Sequence, residues 1–246
     1  MFIRGKKATI LTMIIVNIIL VTSTQGRCDE NEKRSKLGYV ILEGNSMDIQ
    51  DLNTTLGNKG YSKFPDNFFG IGFGGREINK SKYKRFIFDD SYAVFYFPRE
   101  KNSIVDNKKY NSSLCGFSGV FNIGYVIYEK NNLKIFPLWG MGGGIMRMRI
   151  TEKRSFDDVV DNPKGSAVIT HGISILSLSV GVEKMFGKKE VEKGERFWMI
   201  GIRFGYRHCP DEYDWKNVIG GPDISMTGPF CLVMIGGGTQ YNKKSG

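Results

Sequence analysis

The chain has 246 residues, a formal net charge of +10 and 41% hydrophobic residues, which is enough for one domain of ordinary size. Glycine is frequent, with 31 residues, and aromatic residues make up 13% of the chain. Strong helix formers dominate no long window, which disfavours a helical bundle, a coiled coil and a doubly wound enzyme. Only 7 prolines occur, which disfavours a proline-rich disordered chain, so the composition favours a β-rich protein.

The positive charge is spread over predicted turns and is not concentrated in one run. Basic residues fall between the predicted strands at Arg99, Lys101, Lys108–Lys109, Lys188–Lys189 and Lys243–Lys244. Solvation is the simplest interpretation, and anionic lipid or lipopolysaccharide is the alternative partner for a basic surface. Because there is no basic–aromatic RNA motif and no long Lys/Arg run, we expect no nucleic-acid partner.

The first 26 residues have the order of a secretory signal peptide. Arg4, Lys6 and Lys7 precede an apolar stretch at 8–21, and small and polar residues follow at 22–26. The apolar stretch is shorter than the roughly 20 residues that a spanning helix needs. We therefore expect residues 1–26 to direct export, with an uncleaved membrane anchor as the alternative.

The cysteines do not have the spacing of a metal site. No CxxC pair occurs and the chain has only 2 histidines, so we expect no zinc site and no cofactor. In an oxidising compartment, a disulfide between Cys209 and Cys231 would close a loop, and free buried thiols are the alternative.

Alternation of large apolar residues with small or polar residues recurs through most of the exported part. In 197–208, for example, one face reads Trp198, Ile200, Ile202, Phe204 and Tyr206, and the opposite face contains Gly201, Arg203, Gly205 and Arg207. This period of two predicts strands with two different faces. The predicted strands are 38–46, 66–78, 84–97, 115–129, 133–150, 167–186, 195–208 and 225–241.

One segment has helical spacing. Ile49, Leu52 and Leu56 share one face of a predicted helix over 47–58, for which Ser46 is the expected N-cap. This short helix lies in the first long connection. Packing of that loop is its simplest role, and capping of a barrel mouth or contact with a partner is the alternative.

The connections between the predicted strands alternate between long ones of 16–19 residues and short ones of 3–8 residues. Outer-membrane barrels have short periplasmic turns and longer external loops, and a spanning sheet must close to satisfy its backbone groups. The sequence therefore predicts an all-β, antiparallel up-and-down barrel of about eight strands over 38–241. A linker at 27–37 and a tail at 242–246 complete the expected organisation.

On these features the chain resembles the small bacterial outer-membrane β-barrel proteins, over about 38–241. The resemblance rests on the signal peptide, the alternating strands, the glycine and aromatic usage and the last strand, Phe230–Tyr241. In this group the final strand typically ends the chain on an aromatic residue, whereas here residues 242–246 follow Tyr241. The resemblance implies an outer-membrane location, contact with outer-membrane lipid or lipopolysaccharide, and a structural, adhesive or surface-interaction role without enzyme activity.

Two alternatives stay open. One is a secreted or periplasmic soluble β-barrel that binds an apolar ligand, whose apolar residues would point inward. The direction in which the apolar face of each strand points therefore discriminates between this soluble barrel and an outer-membrane barrel. An outer-membrane lipid-modifying enzyme is less favoured, because His171 and Ser174 are three residues apart and point to opposite faces of a regular strand.

Two groups of side chains are candidate functional residues. Charged residues on strand faces rich in small residues are candidates for the barrel lumen: Arg203, Arg207 and Glu183. The loop 209–221 supplies candidates for external interaction or calcium contact: Asp211, Glu212, Asp214 and Trp215. Aromatic residues near the strand ends are expected to form interfacial girdles: Phe68, Phe86, Tyr96, Phe97, Tyr128, Trp198, Tyr206 and Tyr241.

Overall fold

The computed structural model describes residues 33–80, 85–96, 101–155, 165–191, 194–210, 215–216 and 221–242. The strands are β1 (Lys33–Ser46), β2 (Asn67–Lys80), β3 (Arg85–Tyr96), β4 (Lys101–Val105), β5 (Lys108–Tyr125), β6 (Tyr128–Lys130), β7 (Leu133–Glu152), β8 (Ser166–Val191), β9 (Gly194–His208) and β10 (Gly228–Asn242). The helix α1 spans Gln50–Asn58. Among these residues, no helix has both the length and the hydropathy required to cross a membrane.

Eight of the strands form a closed ring. Each strand pairs antiparallel with its neighbour in the order β1, β2, β3, β5, β7, β8, β9 and β10, and β10 returns to β1 with Lys33 opposite Asn242. Consecutive ring strands are neighbours throughout, so the topology is up-and-down. The predicted all-β barrel of about eight strands is confirmed.

The strands are strongly staggered around the ring. The stagger is measured by starting at Val40 and moving to the directly opposite residue on each neighbouring strand. Through β2, β3 and β5 this path reaches Gly143 on β7. In the other direction, through β10, β9 and β8, it reaches Leu133 on β7. These two positions lie ten residues apart on one strand. Such a stagger requires strands tilted by about 35–45° and an interior that side chains fill.

The prediction of a long loop between the third and fourth ring strands is wrong. Instead of a loop, β4 and the first residues of β5 form a hairpin that extends beyond the ring. Its two-residue turn holds Asp106 and Asn107 at φ 49° and 61°, the left-handed values of a tight hairpin turn. The period-two signal is weak here because neither face of the hairpin is consistently apolar.

Several boundaries differ from the prediction. β1 begins at Lys33, so the last residues of the expected linker 27–37 belong to the barrel. The predicted strand 115–129 is β5 followed by the short β6, and the last strand begins at Gly228. The predicted strand 167–186 lies within β8, which extends from Ser166 to Val191. The predicted signal peptide, residues 1–26, lies outside the described residues.

Helix α1 begins later than predicted. Ser46 ends β1 and does not cap the helix, whose N-cap is Ile49, without a side-chain hydrogen bond. The predicted apolar face is confirmed, since Leu52 and Leu56 are buried. Gly60, with φ +78°, follows the helix and allows the chain to turn back there.

The two ends of the barrel are different. At the short-turn end, β2, β5, β8 and β10 end and β1, β3, β7 and β9 begin, and the turn 131–132 lies there. The long-connection end carries 47–66, the β4–β5 hairpin, 153–165 and 209–227. The predicted alternation of long and short connections therefore corresponds to two opposite ends of one barrel.

Candidate functional site

The outer wall of the barrel is covered by large apolar side chains that remain exposed. Phe69 is 71% exposed and Trp198 is 65% exposed, whereas their inward neighbours Phe68 and Met199 are fully buried. Every ring strand contributes to this outer wall, for example through Val40, Ile71, Val94, Phe117, Trp139, Leu178, Phe204 and Ile235. Soluble monomers rarely expose contiguous apolar patches of this extent, so the wall has the character of a surface that meets lipid or a protein partner.

The expected aromatic girdles are only partly present. Phe86, Tyr128, Trp198, Tyr206 and Tyr241 are all exposed on the outer wall. Phe68 is a correction, because its side chain points inward and packs edge-on against Phe95 with ring centroids 4.8 Å apart. The side chain of Tyr96 and the whole of Phe97 lie outside the described part of the chain.

The three predicted lumen residues, Arg203, Arg207 and Glu183, are buried inside the ring. Arg203 and Glu183 belong to a larger network whose centre is Asp89 on β3. Both oxygens of Asp89 accept hydrogen bonds, from Arg76 Nε at 2.9 Å, from Arg203 Nη2 at 2.8 Å and from Asn122 Nδ2 at 3.0 Å. The Tyr39 hydroxyl donates a fourth hydrogen bond, at 2.6 Å.

The network crosses the barrel from one wall to the other. Glu183 on β8 forms an ion pair with Arg76 on β2, and its other oxygen lies 3.4 Å from Lys134 Nζ. These side chains have no solvent exposure. Buried charges are tolerated when they are paired, and each of these side chains has a partner of opposite charge.

Arg207 makes a separate pair closer to the long-connection end. Its Nη1 donates to Glu43 and, at 2.9 Å, to the Asn45 amide oxygen. The guanidinium also lies over the Phe230 ring, 4.5 Å from the centroid. Arg207 is therefore held by a partner set distinct from the one around Asp89.

The middle of the barrel is filled. Within the described residues, the buried charged side chains are four cations, Arg76, Lys134, Arg203 and Arg207, and three carboxylates, Glu43, Asp89 and Glu183. None is more than 4% exposed, so solvent does not reach them. Because opposite walls meet through these pairs, the interior is a packed polar layer and not a water-filled channel.

The long-connection end is closed by an apolar cluster. Helix α1 packs Leu52 and Leu56 into it, and the connection 209–227 contributes Trp215, Ile224 and Met226. Asn53 joins this cap to the chain that follows the helix, because its amide donates to the Phe64 carbonyl and accepts from the Phe64 N–H. The helix therefore caps the mouth of the barrel, one of its two predicted alternative roles.

The prediction that Trp215 is available for external interaction is wrong, because its side chain is buried. Its indole is 3% exposed, its Nε1–H donates to the Pro222 carbonyl at 2.6 Å, and its ring centroid lies 5.1 Å from that of His171. The ring anchors the connection 209–227 against β8 and offers no open surface to a partner. The other three loop candidates, Asp211, Glu212 and Asp214, lie outside the described residues.

Sequence reasoning missed the centre of the buried network. Arg76 and Asp89 lie in strands that were predicted, at positions that share the inward phase with Phe68 and Phe95. The available signal is a charged residue on a face of small residues, with Gly72 and Gly74 in phase with Arg76, and Ser91 and Ala93 in phase with Asp89. Lys134 at the start of β7 gave no such signal, because it follows directly on a turn.

In the described part of the chain, His171 and Ser174 lie on different faces of one strand and the cysteines are unpaired. His171 points inward, whereas Ser174 lies on the outward phase of the same strand. Burial raises the pKa of the Cys209 thiol, which disfavours the nucleophilic thiolate. Cys209 and Cys231 are both free, because Cys231 points outward from β10 while Cys209 packs against the inner cluster. No group of three metal-binding side chains occurs in the described part of the chain.

No family model and no curated protein sequence matches this chain. Its structure is similar to those of small outer-membrane β-barrel proteins. Ail, the attachment invasion locus protein of Yersinia pestis, is 12% identical with a TM-score of 0.40, over 87% of this chain and 100% of that chain.

Two further solved structures resemble the chain more weakly. Neisserial surface protein A is 10% identical with a TM-score of 0.33, over 85% of this chain and 96% of that chain. The transport unit of the autotransporter AIDA-I from Escherichia coli is 8% identical with a TM-score of 0.29, over 88% of this chain and 92% of that chain. Values this low assign the chain to no family, and the fold rests on its own strand register.

Proposed function

We propose that this protein is a non-enzymatic outer-membrane β-barrel with a structural, adhesive or surface-interaction role. The observation that carries the proposal is the inverted wall: large apolar side chains are exposed on all eight ring strands, while ionised side chains lie paired inside. In a bilayer this distribution removes the exposed apolar surface from water and leaves no backbone edge unpaired.

The difference between the two ends supports an orientation. Short turns and both barrel termini lie at one end, and the long connections with helix α1 and the β4–β5 hairpin lie at the other. In outer-membrane barrels the longer connections are external. We therefore place the long-connection end outside the cell, with the signal peptide predicted at 1–26 directing export.

The filled interior supports an interaction role over transport. Arg76, Asp89, Arg203 and Glu183 tie opposite walls together and exclude water from the middle of the barrel. The same layer disfavours the soluble alternative, because a protein that binds an apolar ligand inside needs an apolar space where these charges lie. The parts that remain available to a partner are then the outer ends of the long connections.

Membrane insertion is tested by heat-modifiability of the full-length protein in a purified outer-membrane fraction. A folded membrane barrel resists cold detergent and migrates faster than its boiled form. We expect a mobility shift on boiling, with the protein confined to that fraction. Recovery of a soluble protein from the periplasm or the medium, without a shift, would contradict the proposal and favour the soluble alternative.

Orientation is tested by epitope insertion at two matched turns. Asp106–Asn107 at the long-connection end and Asn131–Asn132 at the short-turn end are both two-residue turns with positive φ. On intact cells, an antibody should reach the epitope in the first turn and not the epitope in the second. The reverse result would overturn the proposed orientation while leaving the barrel itself intact.

A further inference from the structure

We propose that the outer wall carries a binding site for the phosphorylated headgroup of an anionic lipid, formed by Arg147 and Arg149 of β7. This inference rests on the proposed membrane location and deepens it by naming a partner and the residues that bind it. Both residues lie exposed on the outward phase of β7, and the strand rises by about 6.6 Å from one to the other.

The arginines lie where the apolar part of the wall ends. On β7, the outward residues before them are Trp139 and Ile145, 47% and 53% exposed. Across the strand pair, Arg147 lies opposite Cys115, two residues beyond the exposed Phe117. In a barrel whose apolar band faces lipid, this is the depth of the headgroups on the long-connection side.

A polar recess adjoins Arg149. It has a volume of about 250 Å³ and is lined by Asn111, Ser112, Ser113, Arg149 and Thr151. The register places Ser113 opposite Arg149 on the same outward face, so hydroxyl and amide groups lie beside the guanidinium. Arginine with neutral donors is the combination that recognises phosphate oxygens.

Ser166 orders one of the arginines. Arg149 Nε donates to Ser166 Oγ at 3.2 Å, and that hydroxyl lies 3.3 Å from Thr151 Oγ1. The bond uses only one of the guanidinium donors, so the terminal nitrogens of Arg149 remain available for a ligand.

The two arginines differ in their ion pairing from a similar pair of basic residues at the opposite end of the barrel. At the short-turn end, Arg34 and Lys36 are also two residues apart on the outward face of one strand, but both lie within ion-pair distance of Glu77. Across the described ranges, neither Arg147 nor Arg149 has a carboxylate within 4.0 Å. The nearby Glu152 is paired with Lys108 at 3.1 Å. Among the described residues these two arginines therefore have no carboxylate partner, and an external anion is the partner that we propose for them.

The anion is assigned to a lipid because of where the arginines lie. They point sideways from the barrel wall at the edge of its apolar band, where a headgroup is held by its own acyl chains beside the protein. Basic side chains next to an anionic membrane surface each contribute attraction that salt screens. A soluble sulfated or phosphorylated ligand would instead approach from the end of the barrel.

The test uses the full-length protein reconstituted in nanodiscs of phosphatidylcholine with and without diphosphoryl lipid A. Thermal unfolding reports binding, and the R147Q/R149Q variant is compared with wild type and with R34Q/K36Q as the matched control. We expect about 30-fold weaker lipid binding for R147Q/R149Q, from two lost arginine contacts. The control should bind within a factor of about three of wild type, because those cations are already paired.

Each other outcome has a distinct meaning. Equal binding by all three proteins, or an equal loss in the control, overturns the site. The same stabilisation by inorganic phosphate alone, or by heparin alone, overturns the assignment to a lipid. Cold-detergent mobility of each variant verifies that it has folded. If wild type neither enters nanodiscs nor shifts on boiling, the proposed membrane function fails, and with it the premise of this site.

Discussion

The inner and outer faces of the barrel wall have opposite chemistry, although they alternate residue by residue along the same strands. Strand β3 shows this. Asp89 points inward and has four hydrogen-bond partners, whereas Tyr92 and Val94 on the outward phase are large and exposed. Asp90 is the one carboxylate on that outward phase of β3. Inside, charges are stabilised by one another, and outside, apolar side chains require an apolar medium. The inner face is therefore stabilised by ion pairs and hydrogen bonds, and the outer face by contact with an apolar medium.

The largest expected effect comes from removing the centre of the inner network. Asp89→Ala should lower the free energy of unfolding by about 3–5 kcal/mol, because Arg76 and Arg203 then lose their shared carboxylate while remaining buried. Urea unfolding of protein refolded into phospholipid vesicles measures this change. Asp90→Ala is the matched control and should be close to neutral or stabilising. Equal losses for the two variants would show that the faces do not differ as described.

A charge placed on the outer face tests whether that face contacts an apolar medium. Ile202→Arg puts a guanidinium among the outward apolar residues of β9 and should destabilise the barrel in vesicles by about 2–4 kcal/mol. Val168→Arg, outward on β8 opposite Arg149, is the control and should change stability by about 0–1 kcal/mol. The same unfolding titration serves both. A neutral Ile202→Arg would mean that the wall faces water and not lipid.

A smaller effect distinguishes the packing of the two faces. A Cβ added at Gly142, on the inward phase of β7, would collide with the Gly119 carbonyl oxygen and lie 2.8 Å from Val120 Cα. Gly142→Ala should therefore destabilise by about 1–3 kcal/mol, since backbone atoms must move.

The control for this substitution is on the outer face. A Cβ added at Gly172 on β8 meets nothing within 4 Å, so Gly172→Ala should leave the unfolding midpoint nearly unchanged. Comparable losses at the two glycines would indicate that strand propensity, and not interior crowding, sets the effect.

The sequence predicts the ring strands well because the outer wall gives them a strict period of two. Trp198, Ile200 and Ile202 recur on one face because that entire face is apolar, and β2, β5, β8 and β9 are found from such alternation. The signal disappears where no face is apolar, which is why β4 is missed. It is also weak at the start of β1, where Lys33 and Arg34 give no alternation.

The inner network is predicted only in part for a different reason. Arg203, Arg207 and Glu183 are identified as lumen residues from their own strands. Their partners depend on which residues face each other across the barrel, and the ten-residue stagger sets that pairing. Arg76 and Glu183 are 107 positions apart in the chain and meet only after the ring has closed. No local pattern contains this information.

Ring closure also has a kinetic consequence. The seam of the barrel joins β1 to β10, so the first described residue, Lys33, lies opposite Asn242. Bringing such distant segments together has a high entropic barrier, and contacts of this range slow folding. Until β10 arrives, β1 and β9 present unpaired edges that invite pairing with another chain. Pairing of β10 with β1 and β9 is therefore the folding step that removes the open sheet edges and, with them, the tendency to aggregate.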